Sequence, residues 1–193
     1  MKKHSLTNLF FIIILVFSAD TLAAQNFRGS IITGLSTSQI DGDEYSGYNK
    51  LGFYAGVSVE RPLGNVVGIK TELYYISKGA KQNVDGYEIH KTSLNYVELP
   101  LMVTFLPFKQ VEFDFGMAFS YLIKARMWSM GEEYPEGVVD IKDMQYSAIV
   151  TGSYFFSEHI AFNVRFDYAF LPIKENPNWY SNNFSFGILY RFN

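Results

Sequence analysis

Cysteine is absent from all 193 residues. No disulfide can staple the fold, no thiolate can hold a metal, and neither a Cys nucleophile nor a lipid-anchored Cys is available. Charge is also sparse. Lys, Arg, Asp and Glu make up 18% of the chain and sum to −3, which leaves no electrostatic footprint for nucleic acid. The longest apolar run, LFFIIILVF at 9–17, is too short to cross about 30 Å of hydrocarbon as a helix. No segment carries a 3.6-residue period, and no linker or composition shift divides the chain. What is abundant is aromatic: 18% of residues are Phe, Tyr or Trp.

The N-terminus has the three parts of a secretory signal. Basic MKKHSLTN precedes the apolar run, and SADTLAAQ supplies small residues for cleavage after Ala24. The expected organisation is a signal peptide at 1–24 and one barrel domain at 25–193. Losing Lys2, Lys3 and Asp20 moves the charge from −3 to −4.

The remainder alternates with period two, the signature of strands. Eight are predicted, at about 26–36, 51–61, 66–78, 93–106, 111–124, 144–156, 159–170 and 182–192. Their links alternate between tight (62–65, 106–110, 157–159) and long, polar ones (37–50, 79–92, 125–143, 171–181). That is the pattern of an up-and-down barrel with two unlike ends. Along 111–124, Val111, Phe113, Phe115, Met117, Phe119, Tyr121 and Ile123 take one face, and Glu112, Asp114, Gly116, Ala118, Ser120, Leu122 and Lys124 take the other. Charges sort onto the polar face: Arg28, Lys70, Lys78, Lys124, Arg165 and Arg191 against Glu60, Glu72, Glu98, Glu112, Asp114 and Asp167. On the apolar face only Arg61, beside a tight turn, is charged.

Volume decides which face is out. An eight-stranded barrel has room inside only for modest side chains. The apolar face carries too many large residues to fit. The polar face mixes long charged chains with Gly52, Gly56, Gly68, Gly116, Gly187, Ala118 and Ala161, as a narrow interior requires. The expected fold is therefore all-β: an eight-stranded antiparallel up-and-down transmembrane barrel with a charged, filled lumen, its aromatics in lipid. A lipocalin-like soluble carrier is the rejected alternative. Tyr75, Tyr121, Tyr146 and Tyr168 near the long loops, and Phe27, Phe105, Phe156, Tyr190 and Phe192 near the turns, would form interfacial girdles. An even strand number puts both termini with the short turns in the periplasm and the long loops outside. The loops hold six positive and eleven negative residues, an acidic outer end.

Several stretches resemble the PorT-type outer-membrane β-barrel family of Gram-negative bacteria: ELYYISKGAK at 72–81, NYVELPLMV at 95–103 with Tyr96, Glu98 and Pro100 in a Tyr–x–Glu–x–Pro pattern, Gly56 in GFYAGV, and the terminal Tyr190–Arg191–Phe192. The resemblance covers the mature chain and implies a barrel type, with one named member tied to protein secretion. Asn193 departs from the usual terminal Phe. Pro100 inside a closed sheet predicts a bulge or local opening, with Glu98 beside it paired to a lumen Arg or Lys.

Function is read from what remains. Balanced lumen charges predict a salt-bridged plug and little conductance, rather than a proton path or solute site. His90 near Ser93 and His159 at a turn have no evident triad partners, so no catalytic residues are assigned and a lipid-modifying enzyme is a distant alternative. DGDEYSG (41–47) and GEEYPEG (131–137) offer hard oxygen ligands without a calcium-loop spacing and read as solvated acidic surface; neither a metal site nor a cofactor is assigned. A milder possibility is that divalent ions bridge these loops to lipopolysaccharide phosphates. The loop aromatics Tyr45, Tyr48, Trp128, Tyr134, Trp179 and Tyr180 suit a protein partner. The expectation is a non-enzymatic, monomeric outer-membrane barrel, structural or partner-binding. It would contact outer-membrane lipid, lipopolysaccharide and an envelope or secreted protein. The close alternative is a PorT-like accessory of secretion.

Overall fold

The computed structural model describes residues 27–43, 47–84, 87–135 and 140–192. The predicted signal peptide, 1–24, lies outside them. Nine strands form: β1 (Arg28–Asp41), β2 (Lys50–Pro62), β3 (Val67–Val84), β4 (Tyr87–Phe108), β5 (Val111–Ser129), the two-residue β6 (Glu132–Glu133), β7 (Met144–Phe155), β8 (Ile160–Ala169) and β9 (Tyr180–Arg191). Each of the eight long strands pairs antiparallel with its chain neighbours, β1 with β9 and β4 with β5 included, so the sheet closes on itself. Closure leaves no free edge among these strands, the condition for crossing a membrane without unpaired backbone.

The alternation predicts the faces. Inward positions of β2 such as Tyr54, Ser58 and Glu60 are buried, while Phe53, Val57 and Val59 are exposed. Across six strands, Ile69, Val103, Phe115, Val150, Phe166 and Phe184 are successive cross-strand partners in an apolar row that ends at Arg61, opposite Ile69 on β2. Glycine sets the interior's smallest dimension. Gly34 faces Gly187 across β1 and β9, and the ring of Tyr54 lies over the pair. A Cβ on Gly187 would stand 2.6 Å from the Tyr54 hydroxyl, so the pair leaves the space that the tyrosine fills.

Two features depart from the sequence reading. The predicted loop 79–92 is mostly strand. β3 and β4 run on as a paired ribbon, with Lys81 opposite Lys91, beyond the last β2–β3 partner, Ile76. β5 follows it to Ser129 and folds back through β6. Polar composition there reflects a ribbon that has left the lipid, not an absence of strand. The second departure is a bulge. Tyr96 pairs with Leu122 but Asn95 pairs with Lys124, so Ile123 is an extra residue in β5. An inserted residue reverses the facing of everything beyond it.

At Pro100 the accommodation is an opening. β3–β4 pairing stops at Thr71–Leu101 and resumes, in unchanged register, at Tyr74–Glu98. The Thr71 hydroxyl bridges the gap, donating to the Pro100 carbonyl at 3.0 Å.

Candidate functional site: the charged lumen and its two ends

Inward-facing side chains from β3, β5 and β8 meet across the barrel in three tiers. Nearest the short turns, the Lys70 ammonium contacts Glu112 and lies 2.8 Å from Asp114. Thr104 and Thr151 donate to Asp114 at 2.7 and 2.5 Å. One Arg191 nitrogen bridges Glu112 at 2.7 Å and Glu60 at 3.0 Å. Arg28 reaches the same Glu60 at 3.6 Å, its own side chain 44% exposed at the mouth.

The middle tier is Arg165. Its fork meets Glu72 at 2.9 and 3.4 Å, and its Nε donates to Asn163 at 3.0 Å. The guanidinium also stacks on Tyr54 and Tyr74, 4.7 and 5.0 Å from their ring centres. In the upper tier Lys78 lies 2.7 Å from Glu98 and 2.6 Å from Asp167. Tyr74 and Ser120 donate to Glu98, and Asn183 to Asp167. Lys78 and Asp167 are 89 positions apart. Ties of this kind join opposite walls, and each buried charge of the three tiers has an oppositely charged partner, as burial demands.

Above the upper tier the lumen turns apolar. Ile40, Leu94, Tyr96, Ile141 and Ile173 belong to one buried cluster, with Leu122, Ala125 and Trp179 against it. Ile141 and Ile173 come from two outer loops held together by Lys142 N–H to Ile173 C=O at 2.8 Å and by Lys142 to Glu175 at 2.6 Å. That ion pair is exposed, and the hydrogen bond from Lys142 holds the Glu175 carboxyl below its ordinary range. At the opposite end the barrel opens into a cavity of about 810 Å³, lined by Arg28, Lys109 and Arg191 among Phe27, Phe108 and Phe192.

Eleven of the twelve lumen charges named from sequence sit in or at this network. Lys124 does not: the bulge at Ile123 turns it outward, where it is exposed. Its departure leaves one carboxylate in excess, at Lys78, Glu98 and Asp167. Of the buried tyrosines, the sequence motif picks out Tyr96 but not Tyr54 or Tyr74, although a tyrosine on the polar, inward parity is the available signal. Lys50, assigned to a loop, is buried and donates to the Leu51 carbonyl at 2.9 Å. Ile141 and Ile173, lone isoleucines in polar loops, were missed for want of any periodicity.

The outer-membrane barrel domain model matches residues 13–175. The chain belongs to the outer membrane protein beta-barrel domain family. Its fold is shared with solved outer membrane barrels at low identity. Ail, the attachment invasion locus protein of Yersinia pestis, is 15% identical with a TM-score of 0.52, over 86% of this chain and 98% of that one. Neisserial surface protein A is 13% identical with a TM-score of 0.53, over 86% and 97%. A second structure of Ail, in complex with the heparin analogue sucrose octasulfate, gives 13% and 0.54, over 86% and 99%. No curated protein matches the sequence.

As an outer membrane barrel, this protein presents lipid with its aromatic band and encloses its charges. With three ion-paired tiers below an apolar cap, planar-bilayer recordings are expected to show no large, stable conductance steps; an eight-stranded wall leaves no wide aqueous path. Stable steps of porin size would contradict the packing described. His159 sets Nδ1 3.0 Å from the Arg191 carbonyl and stacks on Tyr190, a turn-stabilising position. His90 stands opposite Ser129 and Gln82 on the ribbon. Asp41 of the first acidic loop accepts from Gln39 and Asn182. Residues 44–46 and 136–137 of the two acidic loops, Tyr45 included, lie outside the described residues, and no group of three or more acidic or histidine side chains suited to a metal occurs among the described ones.

Proposed function

We propose that the protein is a non-enzymatic, monomeric component of the cell envelope whose work is done by its outer loops. The mature domain would be 25–193, exported by residues 1–24. The observation that carries this reading is the sealed lumen. With nothing to conduct or hold inside, the surface left for a partner outside the cell is the loop end. That end carries exposed Tyr48, Tyr87 and Tyr134 beside acidic residues. Tyrosine offers large contact area at small entropic cost, and the acidic balance favours a partner with a basic face. Ail was solved with a polyanion; the loop charge of this chain argues for a partner of the opposite sign.

A PorT-like accessory role in secretion is the second reading, and the cavity at the short-turn mouth favours it. Arg28, Lys109 and Arg191 outnumber Glu158 in its lining and would suit an acidic periplasmic segment, with Lys109 the cation not already tied to a lumen carboxylate. Site-specific photo-cross-linking in intact cells separates the two. A reactive group at Tyr134 is expected to capture a discrete protein partner, while one at Lys109 is not. Capture at Lys109 alone supports the secretion role. Absence of any adduct at either position overturns partner binding.

A further inference from the structure

The bulge at Ile123 has a consequence on the outside of the barrel. On the outer face of β3, β4 and β5, Tyr75, Val97 and Tyr121 form one cross-strand row. The next rows outward are Ser77–Asn95–Lys124, then Gly79–Ser93–Arg126, then Lys81–Lys91–Trp128. Without the extra residue, Lys124 would point into the lumen and Arg126 with it. With it, both stand exposed on the lipid-side face, immediately past the tyrosine row. Lys124 has no ion-pair partner among the described residues, and Arg126 has only a 3.7 Å contact to half-exposed Glu133. Above them Lys81 and Lys91 share Glu88 at 2.8 and 3.5 Å, and Lys91 lies 5.0 Å over the Trp128 ring.

Height identifies the occupant. Each row adds two residues along a strand, about 7 Å, or roughly 5 Å along the membrane normal at a tilt near 40°. If the tyrosine row marks the hydrocarbon boundary, Lys124 stands about 5 Å above it and Arg126 about 10 Å. The polar layer of a leaflet is about 5–8 Å thick. Lys124 therefore sits at the height of the lipid phosphates, and Arg126 just above them, where its long side chain can reach down to the same layer, with half-buried Asn95 and Ser93 beside them as hydrogen-bonding groups for sugar hydroxyls. This is the long-loop side, the external leaflet, where the abundant phosphorylated amphiphile is a glycolipid.

We propose that Lys124 and Arg126 form a binding surface for the phosphates of lipid A in the outer leaflet. This deepens the envelope reading by naming direct cationic contacts, on the opposite side of the barrel wall from the lumen plug. It does not depend on any protein partner of the loops.

The test uses the full mature chain in phosphatidylcholine nanodiscs with and without bisphosphorylated lipid A. A cation near an anionic membrane surface is worth roughly fivefold in binding. Lys124→Gln/Arg126→Gln is therefore expected to bind lipid A roughly 20- to 30-fold more weakly than wild type, while Lys124→Arg/Arg126→Lys binds as wild type does. Retained heat-shifted mobility on gels establishes that the variants are folded. Lipid A stripped of phosphate should bind wild type as weakly as the double Gln variant. Equal binding by wild type and the Gln variant overturns the proposal, as does equal binding of the dephosphorylated lipid. Equal retention by phosphatidylglycerol overturns the assignment to glycolipid.

Discussion

Replacing Arg165 with Met should cost the folded barrel about 3–5 kcal/mol, the penalty for leaving a buried partner charge alone. Arg165 and Glu72 are each 1% exposed, so no solvent screens the carboxylate once the guanidinium is gone. Four other interactions go with it: the Asn163 hydrogen bond, the second arm of the fork and two tyrosine faces. Lys at 165 should fall between, because an ammonium keeps the charge but cannot make a bidentate fork or stack flat on Tyr54. The informative variant is the double one. Arg165→Met with Glu72→Leu removes both charges and should recover to within about 1 kcal/mol of wild type, since replacing a buried pair by apolar groups is often neutral. Urea titration in lipid vesicles, read by heat-shifted mobility on gels, measures all three. If the single variant proves as stable as the double one, the lumen charges are solvated and the sealed-barrel description fails.

Phe115→Arg should destabilise the inserted barrel by about 2–4 kcal/mol, the cost of a cation at the midplane of the lipid face. Phe115 is 51% exposed and lies between Val103 and Val150 in the apolar band. Leu51 is more exposed, at 73%, yet it stands beyond Phe53, which packs on Tyr75 of the upper tyrosine row. Leu51→Arg should accordingly cost only about 0–1 kcal/mol, the value near an interface. In water the order would reverse or vanish, because both positions are open to solvent. The same vesicle titration decides it: equal effects at 51 and 115 would remove the argument that these side chains meet hydrocarbon.

The lumen was legible because period-two alternation is enforced by both solvents at once. Lipid excludes charge from Phe113 and Phe115, and the narrow interior excludes bulk from Gly116 and Ala118. Glu98 was expected to find a lumen cation and meets Lys78. Where one constraint lapses, the reading fails. In 79–92 the strand has left the lipid, so neither face need be apolar, and hydrogen bonding between two arms of a ribbon holds a polar sequence in β structure. Lys124 fails for another reason. Its parity is correct up to Tyr121, and a single inserted residue reverses it without altering local composition.

Taken alone, the residues dictate closure, the eight long strands of the wall, the outward aromatics and the ionised interior, since each follows from alternation and volume along one chain. Which cation meets which carboxylate was settled only in three dimensions. Lys78 and Asp167 are brought together by the shape of the closed wall, which has no trace in local spacing. The bulge at Ile123 and the apolar cap from Ile141 and Ile173 are likewise products of packing, where a neighbouring strand or loop decides the direction of a side chain that its own segment leaves open.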